Sequence, residues 1–284
     1  MNGVKRLNAL LENNDPKKLS IKEMRAIAQS PELLARSEEN WYGKKVSRKF
    51  SIYYTKFFIL FNITPNQVTW LMFFSGILGA FLFAFPSLIT AIIAFFVFQS
   101  WLILDCSDGE VARLTGKKSL YGPYIDRLNH IVTDLFLLFS LGFKVFYITG
   151  DTLYLFLGAL LSILNIFSRL LFNVINNIIV EYKVYKTFES DQSNATIATG
   201  EKKKKFFPKL LDLLEKIQLR RIFTATIEIS VIFLISAIVY HFFPITWIFI
   251  GLLFFYLLGN LANTFARFFY IHVNYNKIIT KNLT

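Results

Sequence analysis

Six long apolar stretches follow one another along this chain and leave few folds open to it. They cover residues 66–85, 88–112, 122–148, 152–180, 221–243 and 245–271. Each is long enough to cross the roughly 30 Å hydrocarbon core of a bilayer, which takes about 20 helical residues. Hydrophobic residues make up 54% of the chain, and its mean hydropathy is +0.46. A water-soluble domain of this size could not bury so much apolar surface. We therefore predict an all-α, polytopic membrane protein with six transmembrane helices.

The residues before the first apolar stretch divide into two parts. Residues 1–40 are polar and charged, and Ser20-Ile-Lys-Glu23 has the pattern of a helix capping box, which predicts a short soluble helical extension. Residues 41–65 mix basic and aromatic residues, as is typical of an amphipathic helix lying in the membrane interface. Residues 66–284 then form the predicted six-helix membrane domain.

Basic residues are concentrated on one side of the predicted membrane. The turns at Pro86, Gly150-Asp151 and Pro244 carry no lysine or arginine, whereas the connections 113–121 and 181–221 are rich in both. The positive-inside rule therefore places both termini on the cytoplasmic side, together with the polar ends of the second and third stretches. The net charge of +12 then indicates contact with anionic membrane lipids, and no nucleic acid is expected as a partner.

Carboxylates are clustered where the second apolar stretch ends and the third begins. Asp105 and Asp108 share one helix face, and a short turn can bring Asp126 opposite them. Carboxylates this close repel one another unless a cation lies between them. Hard oxygen ligands favour magnesium, manganese or calcium over zinc.

Small residues and an arginine accompany the carboxylates. Gly109 and Ala112 leave room for a flat nucleotide or a diphosphate to approach the helix backbone. The planar guanidinium of Arg113 suits phosphate oxygens. The sequence therefore predicts a metal-bound diphosphate site at the membrane surface.

The spacing Asp105-x2-Asp108-Gly109-x2-Ala112-Arg113-x8-Gly122-x3-Asp126 resembles the signature of the CDP-alcohol phosphotransferase family. Thr64-Pro-Asn-Gln-Val-Thr69, at the first span, also resembles that family. The resemblance implies that Mg2+ or Mn2+ is held by Asp105, Asp108 and Asp126. It implies substrate-binding residues at Gly109, Ala112, Arg113, Gly122, Thr64 and Asn66. It further implies a homodimeric enzyme in which an acceptor hydroxyl attacks the β-phosphorus of a CDP-alcohol and releases CMP.

The substrates follow from the position of the site beside lipid. We expect a CDP-linked lipid donor, either CDP-diacylglycerol or an ether-lipid equivalent, and a small polar alcohol, with or without a phosphate, as acceptor in phospholipid biosynthesis. Arg48 and Lys49 are predicted to bind a phosphorylated acceptor or anionic lipid. Arg169 lies in the fourth span, where a charge is costly, so it either binds substrate or pairs with Asp134 or Glu228.

His130 stands where the family signature has its last aspartate. A histidine four residues after Asp126 keeps the same helix face, and an imidazole suits proton abstraction at neutral pH. A nearby divalent cation, however, disfavours the imidazolium. Three interpretations stay open: His130 is the catalytic base, Asp134 or a water relay does that work, or the chain is a catalytically impaired CDP-lipid-binding homologue.

A cation transporter or channel is the alternative from another functional class. Its carboxylates would line a path for ions. A permeation path would spread acidic residues through the membrane midplane, whereas here they cluster at one helix end beside Arg113. The sequence therefore favours the enzyme.

Overall fold

A computed structural model of the protein describes residues 15–36, 42–189 and 226–283. These residues are almost entirely helical and contain no strand, which confirms the all-α prediction. The helices are α1 (Ile21–Ala28), α2 (Pro31–Arg36), α3 (Arg48–Leu60), α4 (Pro65–Phe83), α5 (Leu88–Thr115), α6 (Tyr121–Thr149), α7 (Leu153–Glu189), α8 (Thr226–Phe242) and α9 (Trp247–Leu283). A 3-10 turn at Pro16–Lys18 precedes α1, and a π-helical turn at Gly43–Ser47 leads into α3.

Five of the described helices are long and apolar enough to cross a membrane. They are α4, α5, α6, α7 over Leu153–Glu181 and α9 over Trp247–Val273. They correspond to five of the predicted spans and indicate an integral membrane protein. At the predicted fifth span, α8 covers 17 residues. The residues that would lengthen it, 221–225, lie outside the described part of the chain.

Local sequence determines where two of the helices begin. At α1, the backbone N–H of Ser20 donates to Glu23 Oε2 over 2.8 Å, and the N–H of Glu23 donates to Ser20 Oγ over 3.3 Å. Hydrogen bonds from the side chain and backbone of Ser20 lower the pKa of Glu23. At α4, Thr64 and Gln67 form a second capping box, with Pro65 in the first turn. Both starts agree with the sequence pattern.

The N-terminal segment packs against the membrane helices. Met24 and Ile27 of α1 are buried in one apolar cluster with Ile52 of α3 and Val111 of α5. Nζ of Lys56 on α3 lies 2.7 and 2.6 Å from two carbonyl oxygens just before α1. The described extension therefore rests on α3 and α5.

Close helix packing brings the functional residues together. α4 packs along both α5 and α6, and α6 packs along α7. Gly142 and Gly158 allow the last contact, because a Cβ on Gly142 would lie only 2.5 Å from Gly158 Cα. Gly116, with φ 69°, ends α5 in the left-handed conformation, and a short turn then starts α6. The end of α5 and the start of α6 consequently lie side by side.

Candidate active site

Three side chains able to ligate a metal meet where α5 ends and α6 begins. Asp105, Asp126 and His130 each offer one ligand atom, and these atoms lie within 4.8 Å of one another. His130 Nε2 is 3.1 Å from Asp105 Oδ1 and 3.5 Å from Asp126 Oδ1. Asp126 and His130 are one helical turn apart on α6, so they present a common face to Asp105 on α5.

This donor set fits a divalent cation. The Oδ1 atom of Asp126 is buried and accepts no hydrogen bond from any described residue. A buried carboxylate oxygen without a donor is costly unless a cation compensates it. Carboxylate oxygens are the ligands that Mg2+ and Mn2+ prefer, so Asp105 and Asp126 suit such an ion. The arrangement is therefore suited to an ion shared between α5 and α6.

Asp108 lies beside this group and faces α4. Its Oδ2 atom accepts a hydrogen bond from Thr69 Oγ1 over 2.9 Å, and its Oδ1 atom accepts one from the backbone N–H of Gly109 over 2.5 Å. Asp108 is also close enough to Asp105 and Asp126 to interact with them electrostatically. These two hydrogen bonds hold the Asp108 carboxylate in a fixed orientation, and its role as a metal ligand stays a prediction.

Arg113 lies across the small residue that precedes it by one helical turn. A Cβ on Gly109 would be 3.0 Å from Arg113 Nη1, so any larger residue at Gly109 would press on the guanidinium. The Nε atom of Arg113 donates to the carbonyl oxygen of Ala28 over 2.9 Å. Ala112, on the same part of α5, is partly exposed.

The start of α4 contacts the turn between α5 and α6. Asn66 Oδ1 accepts a hydrogen bond from Ser119 Oγ over 3.2 Å, and a Cβ on Gly122 would lie 3.3 Å from the same oxygen. Thr64 is the N-cap of α4, and its hydroxyl accepts a hydrogen bond from the N–H of Gln67 over 3.4 Å. Thr64 and Asn66 thus serve helix capping and turn packing beside the site.

The two basic residues predicted on α3 have different surroundings. Arg48 is buried, and its Nη1 atom lies 3.8 Å from Glu110 Oε1. Lys49 is exposed, and its carbonyl oxygen accepts a hydrogen bond from Arg25 on α1 over 3.2 Å. Arg48 is therefore directed toward α5, whereas Lys49 faces outward.

Arg169 pairs with Asp134, one of the alternatives left open by the sequence. Its guanidinium contacts Asp134 Oδ2, and Thr226 Oγ1 donates to the other oxygen, Oδ1, over 2.9 Å. The Asp134 residue is only 1% exposed. Both of its carboxylate oxygens are thus engaged by other helices.

Sequence reasoning overlooked Glu110, which lies inside the motif. The residue is 0% exposed. Its carboxylate accepts hydrogen bonds from Ser51 Oγ (2.6 Å), Gln29 Nε2 (2.7 Å) and Thr55 Oγ1 (2.8 Å), and Arg48 lies nearby. An acidic residue in the last turns of an apolar helix needs such partners, and that requirement was the available signal.

The helices that form this site fall within a region that matches a known protein family. The family model described as CDP-alcohol phosphatidyltransferase matches residues 62–207, more than half of the 284-residue chain. The matched region contains α4, α5 and α6 and therefore every residue of the Asp105, Asp126 and His130 cluster. It leaves α1 and α3 outside. A search of curated proteins finds no match.

Proposed function

Because the chain belongs to the CDP-alcohol phosphatidyltransferase family, whose members are transferases of substituted phosphate groups, we propose a specific reaction for it. The chain transfers a phosphatidyl-type group from a CDP-linked lipid to the hydroxyl of a small polar alcohol and releases CMP. The observation that carries this proposal is the convergence of Asp105, Asp126 and His130 at the end of two membrane helices. CDP-diacylglycerol or an ether-lipid equivalent is the proposed donor.

The proposed metal site uses the carboxylates of both helices. Family members typically depend on a divalent ion. We assign Mg2+ or Mn2+ to Asp105, Asp108 and Asp126, with support from the buried and unbonded Oδ1 of Asp126. When bound, the ion neutralises charge on the diphosphate and on the departing CMP.

The remaining motif residues form the proposed binding surface for the CDP group. Gly109, Ala112 and Gly122 leave the backbone of α5 and α6 open to the nucleotide and its phosphates. Arg113 holds phosphate oxygens, supported by the position of its guanidinium across Gly109. Thr64 and Asn66 shape the edge of this surface at the start of α4.

His130 is the proposed base. Its Nε2 atom faces Asp105 Oδ1, and an ionised carboxylate can only accept a hydrogen bond, so we assign a proton to Nε2. The other ring nitrogen, Nδ1, is then free of a proton and takes the one from the acceptor hydroxyl. The acceptor oxygen then bonds to the β-phosphorus, and the bond from that phosphorus to the bridging oxygen breaks, so that CMP leaves. The carboxylates of Asp105 and Asp126 stabilise the imidazolium.

The surroundings of Asp134 support this assignment over its alternative. Arg169 and Thr226 engage both oxygens of Asp134, which leaves that carboxylate poorly suited to accept a proton from substrate. We therefore propose that Asp134 and Arg169 are structural. A substrate role for Arg48 is likewise weakened by its position beside Glu110. Exposed Lys49 keeps its proposed role toward a phosphate of the acceptor or of anionic lipid.

The proposed membrane arrangement keeps six spans. α8 belongs to the proposed fifth span, and the basic connections favour a cytoplasmic position for both termini and the site. α3 lies along the interface, supported by exposed aromatic side chains on its outer face at Phe50, Tyr53 and Phe57. The proposed parts are the extension 1–40, the interfacial helix 41–65 and the membrane domain 66–284, assembled as a homodimer.

A panel assay tests the reaction. Purified protein with Mg2+ or Mn2+ is given CDP-diacylglycerol and, in turn, glycerol phosphate, inositol phosphate, serine, choline or ethanolamine. We expect CMP release with one acceptor and its loss in Asp126→Ala. Folded protein that binds CDP but releases no CMP with any acceptor would instead identify an impaired CDP-lipid-binding homologue.

A further inference from the structure

The partners of the buried Glu110 carboxylate come from outside the family-matched region. Glu110 lies on α5 within residues 62–207, whereas Gln29, Ser51 and Thr55, which donate hydrogen bonds to it, precede residue 62. Gln29 Nε2 also lies 2.7 Å from the carbonyl oxygen of Arg48. One amide group therefore ties together the end of α1, the start of α3 and the motif helix.

A second contact joins the same two helices one turn further along. The carbonyl oxygen of Ala28 accepts the hydrogen bond from Arg113 Nε over 2.9 Å. Ala28 is the last residue of α1, and carbonyl oxygens at a helix C-terminus carry partial negative charge that favours a cation. Neighbouring residues at the end of α1 thus hold Glu110 and Arg113, which share one face of α5.

We propose that the end of α1 is a clamp that positions Arg113 over Gly109, and that Gln29 and Glu110 are positioning residues of the transferase site. This inference rests on the proposed function, because it requires Arg113 to meet substrate phosphate. Nε is held by Ala28, so the rotation of the guanidinium is restricted and its Nη1 atom stays beside Gly109. Glu110 fixes the position of α1 relative to α5.

The clamp can be weakened without removing α1. Gln29→Met keeps a side chain of similar length but removes the amide that donates to Glu110. Met24 and Ile27 remain in the apolar cluster with α3 and α5, and Lys56 still holds the residues before α1. We therefore expect the variant to fold with α1 still packed on α3 and α5, but with the end of α1 no longer held in a fixed position relative to α5.

Turnover per folded molecule tests the proposal in the full-length protein. We expect Gln29→Met to lower kcat by about 10- to 100-fold, with a smaller change in KM for the CDP-lipid, because misplacing a group that acts on the reacting phosphate has costs of this order. The matched control is Arg25→Met, which removes a contact from α1 to the Lys49 carbonyl and touches neither Glu110 nor Arg113. Its turnover should stay close to that of the unaltered protein.

A double-mutant comparison separates positioning from simple loss of stability. If Gln29 acts through Arg113, Gln29→Met should have little further effect in an Arg113→Lys background. Equal fold losses in both backgrounds would overturn the proposal, as would normal turnover by Gln29→Met.

Amide hydrogen exchange gives a readout that does not depend on turnover. If the end of α1 holds this part of α5, backbone amides of residues 109–113 should exchange hydrogen faster in Gln29→Met than in Arg25→Met. Equal exchange in the two variants would overturn it. If the unaltered protein releases no CMP with any acceptor, the proposed function fails, whereas the exchange result still decides whether the end of α1 holds this segment of α5.

Discussion

His130 Nε2 lies 3.1 Å from Asp105 Oδ1, so one hydrogen bond joins α6 to α5 at the point where their carboxylates converge. The histidine occupies the position at which the family signature has its last aspartate. It therefore keeps the contact between the helices while removing one negative charge from the site. The formal charge of the remaining three carboxylates still exceeds that of one divalent ion, which leaves an imidazolium electrostatically tolerable.

Replacing His130 by alanine should slow the chemical step strongly while preserving nucleotide binding. We predict that His130→Ala lowers the rate of CMP release by about 10²- to 10⁴-fold, the usual contribution of a general base. Metal-dependent CDP binding, measured by titration calorimetry, should change little. His130→Asp, which restores a group able to accept a proton, should retain measurable turnover. Loss of CDP binding in His130→Ala would place the residue among the metal ligands instead.

Breaking the Asp134–Arg169 pair should affect stability more than chemistry. We predict that Arg169→Met lowers the free energy of unfolding by about 3 kcal/mol, because it leaves a buried carboxylate without its cation. Combining it with Asp134→Leu should recover much of this loss. Unfolding in detergent micelles measures both effects. If Asp134→Leu folded normally but released no CMP, a chemical role for Asp134 would replace the structural one.

The contact between α6 and α7 depends on two glycines. We predict that Gly142→Ala lowers the free energy of unfolding by about 1–3 kcal/mol. The new Cβ would lie 2.5 Å from Gly158 Cα and 2.6 Å from the Tyr154 carbonyl oxygen. Gly251→Ala is the matched control, since a Cβ there meets nothing within 4 Å. The midpoint of thermal unfolding distinguishes them. Equal midpoints would contradict the close helix approach.

The sequence predicted the site where its geometry is local. Asp105 and Asp108 share a face of one helix. Because the turn that starts at Gly116 is short, the next helix begins close to that face, and Asp126 lies near Asp105. Helix periodicity and turn length are enough for that inference. The same local rules predicted the capping box at Ser20, whereas the second capping box, at Thr64, emerged only from the structure.

Contacts between distant segments could not be predicted in the same way. Gln29 and Glu110 are 81 residues apart, and no periodicity in either helix indicates that they meet. Arg48 was predicted to bind a phosphorylated acceptor or anionic lipid, and its approach to Glu110 on α5 is a further contact that no local pattern indicates. Asp108 similarly finds Thr69 on α4. Tertiary packing decides these partners.

The most direct test of the central claim is a calorimetric titration of CDP into the purified protein, with Mg2+ or Mn2+ and then with EDTA. We predict saturable binding that requires the metal and is lost in Asp126→Ala. It should persist in Asp151→Ala, which removes an exposed acidic residue at the opposite end of α6. CDP binding that is unchanged by EDTA, or by Asp126→Ala, would contradict a metal-bound diphosphate site between α5 and α6.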